Sequence, residues 1–476
     1  MAIEKQTAGA TRPRRAGGWS GEFVALLSLG WPLIAAQLAQ NALFTTDVIM
    51  MGWLGPQYLA AGSLATSFFN IFLLSGFGLV SAVAPIVAQA RGARDFRSVR
   101  RAVRQGLWAA ILLAALMIPI VWQIRPILTA LHQEPEVIDL ADGFMHTAAW
   151  LFLPALASLV LRSFLAAHAA TRAILVITLG GVALNALLDW GLIFGHFGLP
   201  RLELVGAGLS TTLVNGAMFV AMLGYVVLHR RYKRYYILRR FWRPDWYHFR
   251  QIFRIGTPIG FTVMAEVGLF SAAAVLMGWL GTDELAAHAV ALQCASMAFM
   301  VPLGLSQATT VRVGLAYGAR WPEGVRLAGW ASIAVTLGFM SITCLTFVLL
   351  PHRVVGLFLD AGAAHNQVAL GLAAAYLGIA GLFQLADGTQ VIAASTLRGL
   401  SDTKVPMLLA LTGYWLVGMP IAYVLGFPLG LRGVGVWLGL AAGLATVAVV
   451  LTVRFALRER LGVMRSRALP PLTETP

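Results

Sequence analysis

Residues 27–55 read LSLGWPLIAAQLAQNALFTTDVIMMGWLG, and residues 253–281 read FRIGTPIGFTVMAEVGLFSAAAVLMGWLG. Laid on one another at an offset of 226, Leu29-Gly30-Trp31-Pro32 falls on Ile255-Gly256-Thr257-Pro258. Met51-Gly52-Trp53-Leu54-Gly55 falls on Met277-Gly278-Trp279-Leu280-Gly281. Without a gap, Ala60-Ala61 then meets Ala286-Ala287 and Gly92-Ala93 meets Gly318-Ala319. Self-similarity at a fixed offset marks a chain made of two copies of one unit. Each stretch is also apolar for about 20 residues or more, the length that crosses a bilayer.

Outward from these two stretches, the whole chain reads the same way. Of its 476 residues 59% are hydrophobic and 12% charged, with a mean hydropathy of +0.77, whereas a soluble domain carries about 25% charged residues. That balance excludes a soluble enzyme, a disordered chain and a nucleic-acid-binding domain. Twelve spans are predicted, at 26–54, 59–87, 105–124, 143–161, 173–195, 205–228, 255–280, 285–311, 327–350, 368–395, 405–427 and 433–453. The expected fold class is an all-α polytopic membrane protein of two six-helix repeats. Six is even, so the repeats run parallel, related by a pseudo-twofold along the membrane normal, as in some secondary transporters. The expected segments are a tail at 1–22, a first lobe at 23–228, a linker at 229–253, a second lobe at 254–460 and a tail at 461–476. Pro32 and Pro258 fall inside spans 1 and 7, where each removes a backbone hydrogen bond and kinks its helix.

Charge orients the spans. Twelve put both termini on one side, and 31 of the 35 Lys and Arg residues fall on that side; Arg125, Arg201, Arg353 and Arg432 are the other four. By the positive-inside rule both termini are expected to be cytoplasmic, with no Lys or Arg left within a span. The localisation that follows is the inner (plasma) membrane, with the polar N-terminus a cytoplasmic tail and not a cleaved signal. The basic clusters are read as topology determinants and contacts for anionic lipids, not as nucleic-acid sites. Cys294 and Cys344 lie in apolar runs as small filler, and His146, His168 and His288 show no paired metal spacing.

Four acids are left well inside spans: Asp47, Asp189, Glu266 and Asp387. An ionised carboxylate costs several kcal/mol at the bilayer centre. Without an intramembrane cation beside them, these four must face water, bind a cation or take up a proton. Their helical neighbours are polar. Gln37, Gln40, Asn41 and Asp47 recur at three, four and seven residues, which puts them on one face of span 1; Asn185 precedes Asp189 by four; and Thr262 precedes Glu266 by four. In span 10, Gln384, Asp387 and Gln390 are spaced by three, and Phe383 stands four before the acid. With Gln293, these are the cavity-lining candidates. Amide, hydroxyl and carboxylate oxygens suit a hard cation, and aromatic rings suit an organic one. The repeat breaks at the acids, for Asp47 maps to Ala273 and Glu266 maps back to Gln40. Each half therefore carries a pair of its own.

At these residues the chain resembles the MATE (multidrug and toxic compound extrusion) family, in its NorM-like branch, from about Leu27 to Arg460. The resemblance rests on Thr46-Asp47-Val48-Ile49-Met50-Met51-Gly52, on Ala265-Glu266-Val267, and on Ala286-Ala287-His288 leading to Val311-Arg312-Val313-Gly314. It also rests on Ala386-Asp387-Gly388-Thr389-Gln390 leading to Leu397-Arg398-Gly399 and Asp402. It implies a V-shaped antiporter that expels lipophilic cations in exchange for Na⁺ or H⁺. Glu266 and Asp387 would form the cation or proton site of the second lobe, the one place where Na⁺ would bind. Asp47, Asn185, Asp189 and Thr211 would form the polar cluster of the first. Relatives in this branch often carry Asn in place of Asp189 and Tyr in place of Phe383.

The expected function is thus an efflux antiporter for small cationic, amphipathic substrates, acting as a monomer without a cofactor. The alternative is a flippase for a lipid or lipid-linked oligosaccharide. A polyanionic cargo would favour basic residues in the cavity, and none is expected there. An enzyme is disfavoured, because no nucleophile–base pair occurs in a shared motif.

Overall fold

The computed structural model describes residues 18–357 and 367–464, and among them twelve helices are long and apolar enough to cross a membrane. The first six are α1 (Gly18–Leu54), α2 (Pro56–Gly92), α3 (Phe96–Val121), α4 (Pro135–Ala167), α5 (Thr171–Phe194) and α6 (Glu203–Leu228). The last six are α7 (Trp246–Leu280), α8 (Thr282–Gly318), α9 (Pro322–Leu349), α10 (Gln367–Gly399), α11 (Lys404–Gly426) and α12 (Arg432–Ala456). A large apolar core lies mainly in the first set, and a second core lies in the last set and the segments that follow its helices. The expected tails and the stretch 358–366 fall outside the described residues, apart from 18–22 and 461–464.

The helices run past the apolar spans, because polar and charged residues continue a helix once it leaves the hydrophobic layer. Asp95 starts α3 by accepting from Ser98 N at 2.9 Å, and Asp245 starts α7 by accepting from His248 N at 3.2 Å. Both are N-caps that satisfy otherwise orphaned amides. Pro32 and Pro258 do lie inside helices, and so do Pro119 and Pro302.

The repeat is visible in the backbone. Gly55 and Gly281 join α1 to α2 and α7 to α8 with φ of 135° and 145°, a region that glycine alone enters freely. Arg94 and Arg320, again 226 residues apart, take φ of 60° and 54° after α2 and α8.

The contacts between the two sets of helices gather toward the face that bears both chain ends, here the basic face. Gly30 of α1 packs on Leu305 and Gly256 of α7 packs on the backbone of Leu79. Gly78 meets Gly260, and Gly304 meets Ile34. Gly92 lies on the backbone at Leu315, while Gly318 lies on that at Gln89. Each of these contacts has its repeat-related twin at the offset of 226. Glu22 and Arg312 add a two-pronged ion pair with N–O distances of 2.9 and 2.5 Å, and Gln89 donates to Gly399 O at 2.8 Å and Ser401 Oγ at 2.9 Å. Backbones this close admit no side chain, so glycine sets how near the lobes approach.

Candidate functional site

In the first lobe, α1, α5 and α6 bring the expected polar residues together. Asp47 Oδ1 accepts from Asn185 Nδ2 at 3.0 Å, and Oδ2 accepts from Thr211 Oγ1 at 3.1 Å. Asp189, fully buried one turn beyond Asn185, lies beside Asp47 and the Ser210 hydroxyl. Neither of its oxygens receives a hydrogen bond from a donor group, and Ser210 Oγ has no partner either. Two buried carboxylates side by side repel one another unless a proton or a metal cation lies between them. Asp47 is seven residues from the end of α1, ~10 Å along the axis from the face opposite the chain ends.

In the second lobe, α7, α10 and α11 meet around Glu266. Its Oε1 accepts from Gln390 Nε2 at 3.0 Å, and Gln390 Oε1 accepts from Tyr414 OH at 2.6 Å. Asp387, one turn before Gln390 and buried, keeps Oδ1 without a partner. It stands twelve residues from the end of α10, ~18 Å in from the basic face. The two acid pairs therefore sit at different depths. Thr262 donates to Pro258 O, and with Gln390, Arg398 and Asp402 it lines a crevice of about 20 Å³. That volume holds about one water. The crevice lining runs from Gln390, which donates to Glu266, to Asp402 and Thr403 at the turn between α10 and α11.

The remaining candidates disperse. Gln37 accepts from Gln307 across the lobe boundary at 3.4 Å, and Gln40 accepts from Arg162 Nη1 at 3.0 Å. Asn41 is half-buried and Gln293 exposed. Gln384 ties α10 to α8 through Ala295 O at 2.9 Å. Phe383 packs in an aromatic core, 6.1 Å from Phe270 and 5.7 Å from Trp437 between ring centres.

Two arginines lie in helices just past the apolar runs that were expected to mark spans 4 and 10. Arg162 lies in α4 and Arg398 in the last turn of α10, because both helices extend past the apolar runs that marked the spans. Arg162 Nε and Nη2 are buried without a partner. Neither arginine forms an ion pair within 4.0 Å among the described residues, so the acids still lack a directly bonded cation. Leu161-Arg162 and Leu397-Arg398 close spans 4 and 10 at an offset of 236. Arg162 faces Gln40, and Arg398 lies within electrostatic range of Glu266, the residue equivalent to Gln40.

Sequence reasoning missed Tyr414. It enters the site from a π-helical turn, Thr412–Gly418, in the middle of α11. Such widened turns recur at functional sites. The signal available was the glycine pair that brackets it, Gly413 and Gly418, which lets α12 approach through Val447 and Gly443.

Two parallel six-helix repeats with paired intramembrane acids are an arrangement that some membrane transporters share. The MatE family model matches the chain twice, over residues 32–190 and 258–424. The chain belongs to the MATE family. It is 46% identical over 443 residues to a probable multidrug resistance protein NorM of Brucella suis biovar 1 (strain 1330), covering 93% of this chain and 94% of the relative. A protein of the same name from Mesorhizobium japonicum is 44% identical over 456 residues, with 95% and 97% covered. Among solved structures, the eukaryotic MATE transporter AtDTX14 matches with a TM-score of 0.82 at 21% identity, over 94% of this chain and 98% of its own. An outward-facing multidrug resistance MATE transporter of the MOP superfamily gives 0.82 at 20% identity, over 94% and 97%.

Proposed function

We propose that this protein is a multidrug efflux antiporter that exports lipophilic organic cations in exchange for Na⁺ or H⁺. The observation that carries the reading is Asp387. Its Oδ1 is buried with no hydrogen-bond donor, a helical turn from the Gln390 that holds Glu266. Such an oxygen calls for a proton or a hard cation. The NorM names of the relatives support drugs as the cargo. The positive-inside count supports a cytoplasmic basic face and an inner-membrane location, with anionic lipids around that face. The lobes meet on the basic face, which supports a state closed there. Exchange requires that ion and drug favour different states or compete for one carboxylate, since a ligand that binds both states equally shifts nothing.

The experiment is transport by proteoliposomes loaded with a fluorescent cation, with Na⁺ and proton gradients imposed separately. Efflux driven by one gradient supports antiport and names the ion. No efflux under either, with correctly inserted protein, overturns it. Buildup of lipid-linked precursors in cells lacking the gene, without sensitivity to cationic dyes, would favour the flippase.

A further inference from the structure

The repeat exposes a difference between the lobes on the basic face. In the first lobe, the niche between the end of α2, the start of α3 and the α4–α5 turn is filled by the chain's own linker. Tyr235 packs edge-on to Phe96 at 5.7 Å between ring centres, and its hydroxyl lies 2.6 Å from His168 Nε2. Tyr232 lies edge-on to Phe164 and His168. In the second lobe, the equivalent place between the end of α8, the start of α9 and the α10–α11 turn is a cavity of about 980 Å³. The first turns of α7 form its remaining wall.

Four of the residues that line that cavity are basic. Trp246, Arg250 and Arg254 recur every four residues on one face of α7, and Arg320, Trp321 and Lys404 stand in the same lining. The four basic side chains are exposed and pair with no carboxylate among the described residues. Asp402, the one carboxylate in the lining, is already held by Arg454 at 2.8 Å. Gathered cations in a concave, low-dielectric wall concentrate anions. Arginine favours phosphate oxygens through its planar fork, and basic pockets between helices at a membrane surface take phosphorylated headgroups.

We propose that this cavity binds a phosphate-bearing anion, with Arg250, Arg254, Arg320 and Lys404 on the phosphate oxygens and the two tryptophans against its organic part. The phosphate belongs either to an anionic phospholipid of the surrounding leaflet or to a soluble organic phosphate. The lipid source rests on the orientation proposed above; the site itself does not.

The test uses the full chain, reconstituted in nanodiscs of phosphatidylcholine with or without phosphatidylglycerol, with glycerol 3-phosphate as the soluble probe. Native mass spectrometry and the thermal midpoint report binding. Arg254→Gln and Arg320→Gln should each weaken it about five-fold, at the usual worth of one cation near a membrane surface, and Arg254→Lys should retain most of it. Arg231→Gln, on the linker outside the cavity, should leave it unchanged. If phosphatidylglycerol binding alone depends on these residues, the source is lipid; if glycerol 3-phosphate binding alone does, the site stands and the lipid source falls. Wild type binding neither probe, or folded cavity variants binding as tightly as wild type, would overturn the proposal. Driven efflux measured in parallel with each variant separates this outcome from failure of the antiport reading.

Discussion

Gly78 and Gly304 stand at equivalent places in the two lobes, and each lies against the backbone of the other lobe. Gln40 and Glu266 are equivalent too, yet one accepts from Arg162 while the other accepts from Gln390 and leaves Arg398 without a bonded carboxylate. The lobes thus repeat where they touch and diverge where they carry charge. The first lobe keeps its two carboxylates together near the face opposite the chain ends. In the second, Glu266 and Asp387 lie deeper, and Gln390, which holds Glu266, lines a one-water crevice on their basic-face side. Shared contact geometry suits a hinge that must close symmetrically. The charge sets of the two lobes, by contrast, are unlike.

The sharpest way to break the comparison is to remove one acid from each lobe. Asp387→Asn should reduce gradient-driven efflux to that of empty vesicles, because it removes the unpartnered buried oxygen. Asp47→Asn should lower efflux without abolishing it, since Asp189 remains beside it. Equal loss from both would mean that the lobes share one task.

The next largest effect lies at the contact. Gly256→Val places a branched side chain against the Leu79 backbone, an overpacking worth about 1–3 kcal/mol. Closure on the basic face should weaken. A Ser401→Cys probe, introduced with Cys294 and Cys344 replaced by alanine, should then react faster with an impermeant thiol reagent than it does with Gly256 intact. Unchanged labelling would show that the glycine contacts do not set the approach of the lobes.

A charge swap asks whether position alone makes the difference. Gln40→Glu added to Glu266→Gln should not restore efflux, because the new carboxylate meets Arg162 and is held by a charge-assisted bond of about 1.5–3 kcal/mol. Restored transport would make the lobes interchangeable.

The smallest effect concerns the niche that the linker fills. Burial, reinforced by Arg91, pushes the His168 imidazole down to about 3 from an ordinary 6.5. A histidine lowered in the folded state contributes stability above pH 6.5, and that contribution is lost as pH falls toward 3 because the unfolded chain takes up the proton first. Folding stability should therefore fall between about pH 7 and 5, by at most about 1.4 kcal/mol per pH unit, lowering the thermal midpoint, and His168→Gln should flatten that slope. An identical slope in the variant would place the pH sensitivity elsewhere.

Much of this was legible in the residues. The twelve spans and the two repeats follow from apolar run length and a fixed offset, both local properties of the chain. Asp47, Asn185, Asp189 and Thr211 were grouped through helical spacing and family resemblance, and the structure brings them together. Helical spacing alone groups Gln37, Gln40, Asn41 and Asp47, yet the contacts of Gln37, Gln40 and Asp47 go in separate directions. Spacing states which side of a helix a residue occupies, not which helix faces it.

The sequence alone determined that this is a membrane protein of two parallel halves with uncompensated acids inside it, because the cost of polar groups in lipid is levied residue by residue. Tertiary structure decided the pairings. Tyr414 reaches Gln390 only because α11 widens into a π turn, and Arg162 reaches Gln40 only because α4 outlasts its apolar run. The basic cavity exists because helix ends from three parts of the second lobe converge there while the linker fills the matching niche in the first. Such contacts join residues on different helices, 24 positions apart for Tyr414 and Gln390 and 122 for Arg162 and Gln40, and their energy depends on helix placement that no local pattern encodes.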